Sequence, residues 1–243
     1  MIPAHLLSFL AASLSLVHAA PSSTSLITTR SDGRPCPVIN GEALAPCGLA
    51  CYSRYIYTCP SGQDLVLRPP QRGVFRLVVK GGPSSSSSSA VTGQPMTACR
   101  LVWRIGGKTC SRCPTGGAPG GAPPCPARDV VAVTLLGDVG EGSMSAEVAG
   151  GQAIYVIRGF TVGYQPAHMS TLPDGARIDK FRAFAGGGFF NTLGGMYGWA
   201  VCGDGVTKQL HVKNSTNANE AKNCVGINLR VEDYDGPGAF QYI

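Results

Sequence analysis

Period-two alternation of apolar and polar residues organises the chain downstream of residue 69. In GVFRLVVKGG, Phe75, Leu77 and Val79 alternate with Arg76, Val78 and Lys80, the pattern of a half-buried strand. CRLVWRI repeats it, placing Cys99, Leu101, Trp103 and Ile105 on one face and Arg100 and Arg104 on the other. DVVAVTLLG, SMSAEVA, QAIYVI, FTVGY and YGWAVC follow as short β-branched or aromatic runs separated by Gly- or Pro-rich turns. The clearest is VGINLRVE, where Val225, Ile227, Leu229 and Val231 alternate with Gly226, Asn228, Arg230 and Glu232. Nowhere does an apolar 3.6-residue period persist for three turns. The prediction is an all-β chain: a small, disulfide-rich N-terminal module followed by an antiparallel β-sandwich or barrel-like domain.

Breaks in the pattern set the expected boundaries. Residues 1–19 form an apolar leader ending in Val17-His18-Ala19, a small-residue step of the kind a signal peptidase accepts. Residues 20–34 are polar and are expected to be a flexible leader, 35–68 a Cys-rich module, and 69–243 the all-β domain. Within that domain the serine run and its surroundings (84–94) and the Gly/Pro tract 114–127 are expected to be flexible loops. No later stretch is apolar for long enough to form a transmembrane helix, and GAFQYI at the end lacks the hydrophobic tail of a lipid-anchor signal.

Composition supports this outline. The chain has 33 glycines and 18 prolines, and 14% charged residues, below the roughly 25% of ordinary globular chains; it should be rich in turns. Ten cysteines, Cys36, Cys47, Cys51, Cys59, Cys99, Cys110, Cys113, Cys125, Cys202 and Cys224, form an even set behind an export signal. That combination implies disulfides and a secreted protein. The first eight allow on the order of a hundred connectivities. Asn214-Ser215-Thr216 is an N-glycosylation sequon. The net charge of +6 divides unevenly: twelve Lys/Arg against three Asp/Glu up to Arg128, then eight against eleven. The basic residues are scattered singly along strand-like segments, so no nucleic-acid footprint is expected; a solvated basic face is favoured over a specific anion site.

Most candidate chemistry is weak. Gly107-Lys108-Thr109 resembles the end of a phosphate-binding loop, but position 102, where that loop needs glycine, is Val102. Cys110 and Cys113 with Cys99 and Cys125 could be drawn as a zinc site, yet the export signal favours disulfides, and no metal is assigned. There is no GxSxG or HExxH. Paired carboxylates could cleave a glycosidic bond, but Asp174, Asp179, Glu232, Asp233 and Asp235 sit among turn formers. No catalytic residue and no cofactor is expected. CGLACYSRYIYTC packs three cysteines and three tyrosines, Tyr52, Tyr55 and Tyr57, into thirteen residues. Tyrosine rings can stack on the apolar face of a sugar, or cover the core of a disulfide knot. On the residues alone, both readings stand.

A resemblance separates them. CPVINGEALAPCGLACYSRYIYTC resembles the carbohydrate-binding module at the tails of fungal endo-β-1,3-glucanases, family 52, at Cys36, Cys47, Gly48, Ala50, Cys51, Tyr52, Tyr57, Thr58 and Cys59. The Asp-Pro-Ser-Gln usual between the tyrosines is replaced by Ser53, Arg54, Tyr55 and Ile56. From Phe75 onward, FRLVV, AEVAGGQAIYV, GYQPAHMSTLPDG, GWAVC and NCVGINLRVE resemble fungal secreted IgE-binding or PhiA-type cell wall proteins. This implies a Cys202–Cys224 disulfide and a wall-associated protein without established catalytic residues. The expectation is a non-catalytic, secreted cell-surface or cell-wall protein whose partner is a β-glucan-like polysaccharide. Tyr52, Tyr55 and Tyr57 would stack on sugar, with Arg54 and Arg68 as donors. The alternatives are a structural wall protein, a secreted effector or antigen, and, least favoured, a glycosidase.

Overall fold

The computed structural model describes residues 29–39, 42–81, 90–112, 131–136, 140–157, 161–192, 198–213 and 223–243. The signal segment, the serine run, the 114–127 tract, Cys113, Cys125 and Asn214 lie outside them. Among the described residues there are twenty strands and no helix, as the alternation requires.

Three small antiparallel ladders build the N-terminal module: β1 (Val38–Ile39) with β2 (Glu42–Ala43), β3 (Ala45–Cys47) with β4 (Ala50–Tyr52), and β5 (Tyr57–Thr58) with β6 (Val66–Leu67). The remaining strands form the body. In chain order these are β7 (Phe75–Lys80), β8 (Met96–Cys99), β9 (Val102–Ile105), β10 (Ser111–Arg112), β11 (Ala132–Leu136), β12 (Glu141–Met144) and β13 (Ile154–Val156). Then come β14 (Val162–Tyr164), β15 (Phe181–Ala183), β16 (Gly188–Asn191), β17 (Trp199–Cys202), β18 (Lys208–Val212), β19 (Cys224–Asp233) and β20 (Gln241–Tyr242).

The body is a closed barrel. Nine strands follow one another in the order β12-β11-β7-β19-β17-β18-β9-β14-β13. The two ends of that path meet: Ser143 bridges Ala153, and the Met144 amide donates to the Gln152 carbonyl at 2.9 Å. Closure removes the free edges that a nine-strand sheet would expose. The long strand β19 makes it possible, pairing with β17 through Cys224–Ile227 and with β7 through Asn228–Asp233. Its alternation is realised, with Ile227, Leu229 and Val231 buried. Phe75, Leu77 and Val79 of β7 are likewise buried; Val78, on the polar face, is covered too because Pro95 bridges it.

Three sequence-based expectations differ from the structure. CRLVWRI is not one strand: Cys99 pairs with Val102, and Arg100 and Leu101 form a two-residue hairpin turn at φ 55° and 63°. Positive φ at both central residues is the geometry a tight hairpin needs, and Asn or Gly usually supplies it. Here it is held from outside, by Arg100 N–H on the Ile243 carbonyl (3.0 Å) and Tyr164 N–H on the Leu101 carbonyl (3.2 Å). SMSAEVA contributes only its first residues to a strand, which begins earlier at Glu141. Part of the 84–94 loop is packed, since Val91 is buried and Gly93 N–H donates to the Val79 carbonyl at 2.8 Å.

Beneath the barrel wall, Gln152 is fully buried and fully used. Its amide nitrogen donates to the carbonyls of Gln165 and Tyr242 (2.9 Å each), and its oxygen accepts from Tyr242 N–H at 2.7 Å. This satisfied amide ties β20 into the barrel. Burial pushes the phenols of Tyr164 and Tyr242 up to about 12 from 10.0. A raised folded-state value stabilises the fold fully below the unfolded value, and that contribution is lost as pH rises from 10.0 through about 12. The urea midpoint should therefore fall across that window, with the last tyrosinate absorbance appearing together with unfolding; a midpoint constant across it would contradict this packing.

Candidate functional site

The module is held by two interleaved disulfides, Cys36–Cys51 and Cys47–Cys59. They cross-link strands too short to be stable alone. Gly48 opens the β3–β4 turn at φ 55°, a position glycine occupies without penalty. The segment expected to be a loose leader is partly folded onto this frame: Ser31 N–H donates to the Gly48 carbonyl at 2.9 Å, and the Arg30 guanidinium to the Leu49 carbonyl at 3.0 Å.

The three tyrosines occupy three different environments. Tyr52 lies directly across from Ala45, so both side chains share a face; Ala45 is buried, and Tyr52 covers the module's small core. Tyr57 lies across from Leu67, and Leu67 is 55% exposed. That face is open to solvent. Tyr55 is wedged between module and barrel. Its carbonyl accepts the Gly188 N–H at 2.9 Å, and its half-buried side chain lies against Asn228. Burial, then the Glu42 charge, raise its phenol above the ordinary value.

The Ser53–Ile56 tetrapeptide is therefore the docking segment. Glu42 fixes it, accepting from the Ser53 hydroxyl (2.7 Å) and the Arg54 amide (3.0 Å). Burial raises the Glu42 carboxyl, and these hydrogen bonds oppose the rise. Arg68 braces the other side, donating through Nε to the Arg54 carbonyl at 2.8 Å and through a terminal nitrogen to Ala185 at 3.4 Å. Opposite lies the β15–β16 turn, where only glycine fits. A Cβ on Gly187 would collide with the Tyr55 carbonyl oxygen and stand 2.8 Å from Arg68 Cδ; one on Gly188 would stand 2.9 Å from Tyr55 Cβ.

Module and barrel enclose a cleft of about 580 Å³ lined by Glu42, Arg54, Tyr55 and Arg68 on one side and Lys80, Asn228 and Arg230 on the other. The volume suits a small ligand or a few sugar units. Of the five sequence-derived binding residues, the cleft brings together Arg54, Tyr55 and Arg68; Tyr52 and Tyr57 lie elsewhere. Glu42, Lys80, Asn228 and Arg230 were missed. Lys80 and Asn228 are direct cross-strand partners, and Arg230, two residues on, shares their outward face. Each was legible as polar-face, but their meeting depends on pairing between strands far apart in sequence.

Elsewhere, Cys99 pairs with Cys110 and Cys202 with Cys224. The first bond removes two of the four thiolates a zinc site would have needed. Three of the five carboxylates considered for hydrolysis are engaged separately: Asp179 takes both Arg177 donors at 3.2 Å, which hold its carboxyl below the usual range, Glu232 pairs with Arg76 at 3.1 Å, and Asp233 accepts from Gln71 at 2.8 Å. The cleft lining contains one carboxylate, Glu42, so it does not assemble the carboxylate pair of glycoside hydrolysis.

Residues 24–63 match the family model Carb_bind, described as carbohydrate binding. The module is similar to a carbohydrate-binding domain. The matched segment contains all four module cysteines, all three tyrosines, Glu42 and Arg54, and it includes the folded part of the leader. It supports carbohydrate binding as this segment's role, and a polysaccharide as the partner. No curated protein and no solved structure matches the chain. No helix among the described residues is long and apolar enough to cross a membrane.

Proposed function

We propose that this is a non-catalytic, secreted protein of the fungal cell surface or wall, whose N-terminal module binds β-glucan-like polysaccharide. The observation that carries the reading is the carbohydrate-binding match falling on a disulfide frame that presents Tyr57 beside exposed Leu67. A pyranose ring would lay its apolar face on this pair, as flat aromatic surfaces allow at low entropic cost. Arg54, exposed at the cleft mouth, would donate to hydroxyls, while Arg68 serves chiefly as the brace described above.

Pull-down on insoluble β-1,3-glucan tests this. Wild type should be retained, and Tyr57→Ala should bind about five- to tenfold more weakly with an unchanged melting curve. Equal retention of the variant, or no retention of wild type, would remove the reading. A structural wall protein is the second reading, favoured by the exposed Val38, Leu49, Leu65, Val66 and Leu67 on the module. Release from wall preparations by soluble glucan supports binding; release only by thiols supports covalent or packing retention.

A further inference from the structure

We infer that the cleft between module and barrel holds an acidic saccharide, a sugar polymer bearing carboxylates, and so forms a second subsite distinct from the Tyr57–Leu67 face. Four cations, Arg54, Arg68, Lys80 and Arg230, line it against the single carboxylate of Glu42. Arg54 and Arg68 come from the module, Lys80 and Arg230 from adjacent barrel strands, so the charge concentrates only when the two parts are docked. Among the described residues, no ion pair engages Arg54, Lys80 or Arg230. Unneutralised cations facing one cleft attract an anion, and a guanidinium fork matches a carboxylate in particular.

Several observations favour a sugar over other polyanions. The lining mixes its charges with neutral hydrogen-bonding groups: the Asn228 amide, whose nitrogen donates to the Gly81 carbonyl at 3.3 Å and whose oxygen can accept, and backbone at Gly186. Those suit hydroxyls. The cleft has one aromatic wall, Tyr55, wedged and half-buried, whereas single-stranded nucleic acid is bound on successive open rings. The sugar part of the inference rests on the carbohydrate-binding reading of the module; the anion part rests on the cleft's own charges.

Affinity measurements on the full mature chain separate the two. The probes are polygalacturonate, the same polymer with its carboxyls reduced, laminarin, dextran sulfate and single-stranded DNA. Polygalacturonate should bind, weaken as salt screens the cleft, and lose binding when its carboxyls are reduced. The double variant Lys80→Gln, Arg230→Gln should bind it about tenfold more weakly, and Arg230→Glu more weakly still. Both changes lie on the barrel's outer face, and thermal melts verify folding. Laminarin binding should be unaffected by either. Three results would overturn the inference: no polygalacturonate binding, equal binding by both variants, or equally tight binding of DNA and dextran sulfate. Laminarin bound without polygalacturonate sinks this subsite alone; polygalacturonate bound without laminarin sinks the β-glucan reading alone.

Discussion

Phe189→Ala should lower the unfolding free energy by about 3–5 kcal/mol, a loss among the largest expected from truncating a described core side chain. Phe189 is fully buried on β16, and four aromatic rings surround it. Trp199 and Phe181 stack on it with centroids at 5.3 and 5.6 Å, and Phe75 and Trp103 lie at 6.0 and 6.2 Å. The Trp199 indole N–H also donates to the Phe189 carbonyl at 2.5 Å. Removing the ring leaves a cavity walled by large, rigid groups that cannot collapse into it, which sets the cost at the upper end of the range. Urea denaturation monitored by tryptophan fluorescence measures it directly, because both tryptophans border the cavity. Phe190→Ala, one residue on, removes a half-buried ring in contact with Phe184 and should cost clearly less. Equal losses at the two positions would mean that Phe189 is not the centre of the core.

That hub was not legible in the sequence. Phe189 follows three glycines in AGGGFFN, which no periodicity marks as a strand; β16 exists because β15 and β19 flank it. By contrast, β7 and β19 were plain, because strands with one face on a core and one toward solvent must alternate. The Arg100–Leu101 turn lay between these cases. Alternation continued through it, and the residues that normally announce a hairpin were missing. Its positive φ angles are imposed by distant partners, Ile243 and Tyr164, and distant partners leave no local trace. Barrel closure is the same kind of fact, since it is a register between β12 and β13 and not a property of either.

The site followed the same division. Its cysteines and tyrosines could be found in the sequence, but the pairing Cys36–Cys51 and Cys47–Cys59 could not. Ser53, Arg54, Tyr55 and Ile56 stood out as a departure from the pattern the segment resembles, but their contacts needed the body. The segment meets Gly187 and Gly188, and Tyr55 lies against Asn228 across the gap.

Cys47→Ser with Cys59→Ser should unfold the module while leaving the barrel folded. Among the module's described residues only Ala45 and Cys47 are buried apolar groups, and its strands are two or three residues long. So little buried area cannot offset the entropy of ordering the segment. Stability must come from the cross-links, each worth about 2–5 kcal/mol in small domains. Cys47–Cys59 is the disulfide that ties the β3–β4 hairpin to the end of β5, so removing it frees the hairpin from that strand. The barrel keeps its own aromatic core and its Cys99–Cys110 and Cys202–Cys224 bonds. Limited proteolysis should then cut between residues 36 and 68 and leave a resistant body, and the variant should lose glucan retention entirely. The cleft would go with the module, because Arg54, Tyr55 and Arg68 are half of its lining, so polygalacturonate binding should fall in parallel. Retained glucan binding by the reduced-frame variant would place the sugar site on the barrel instead.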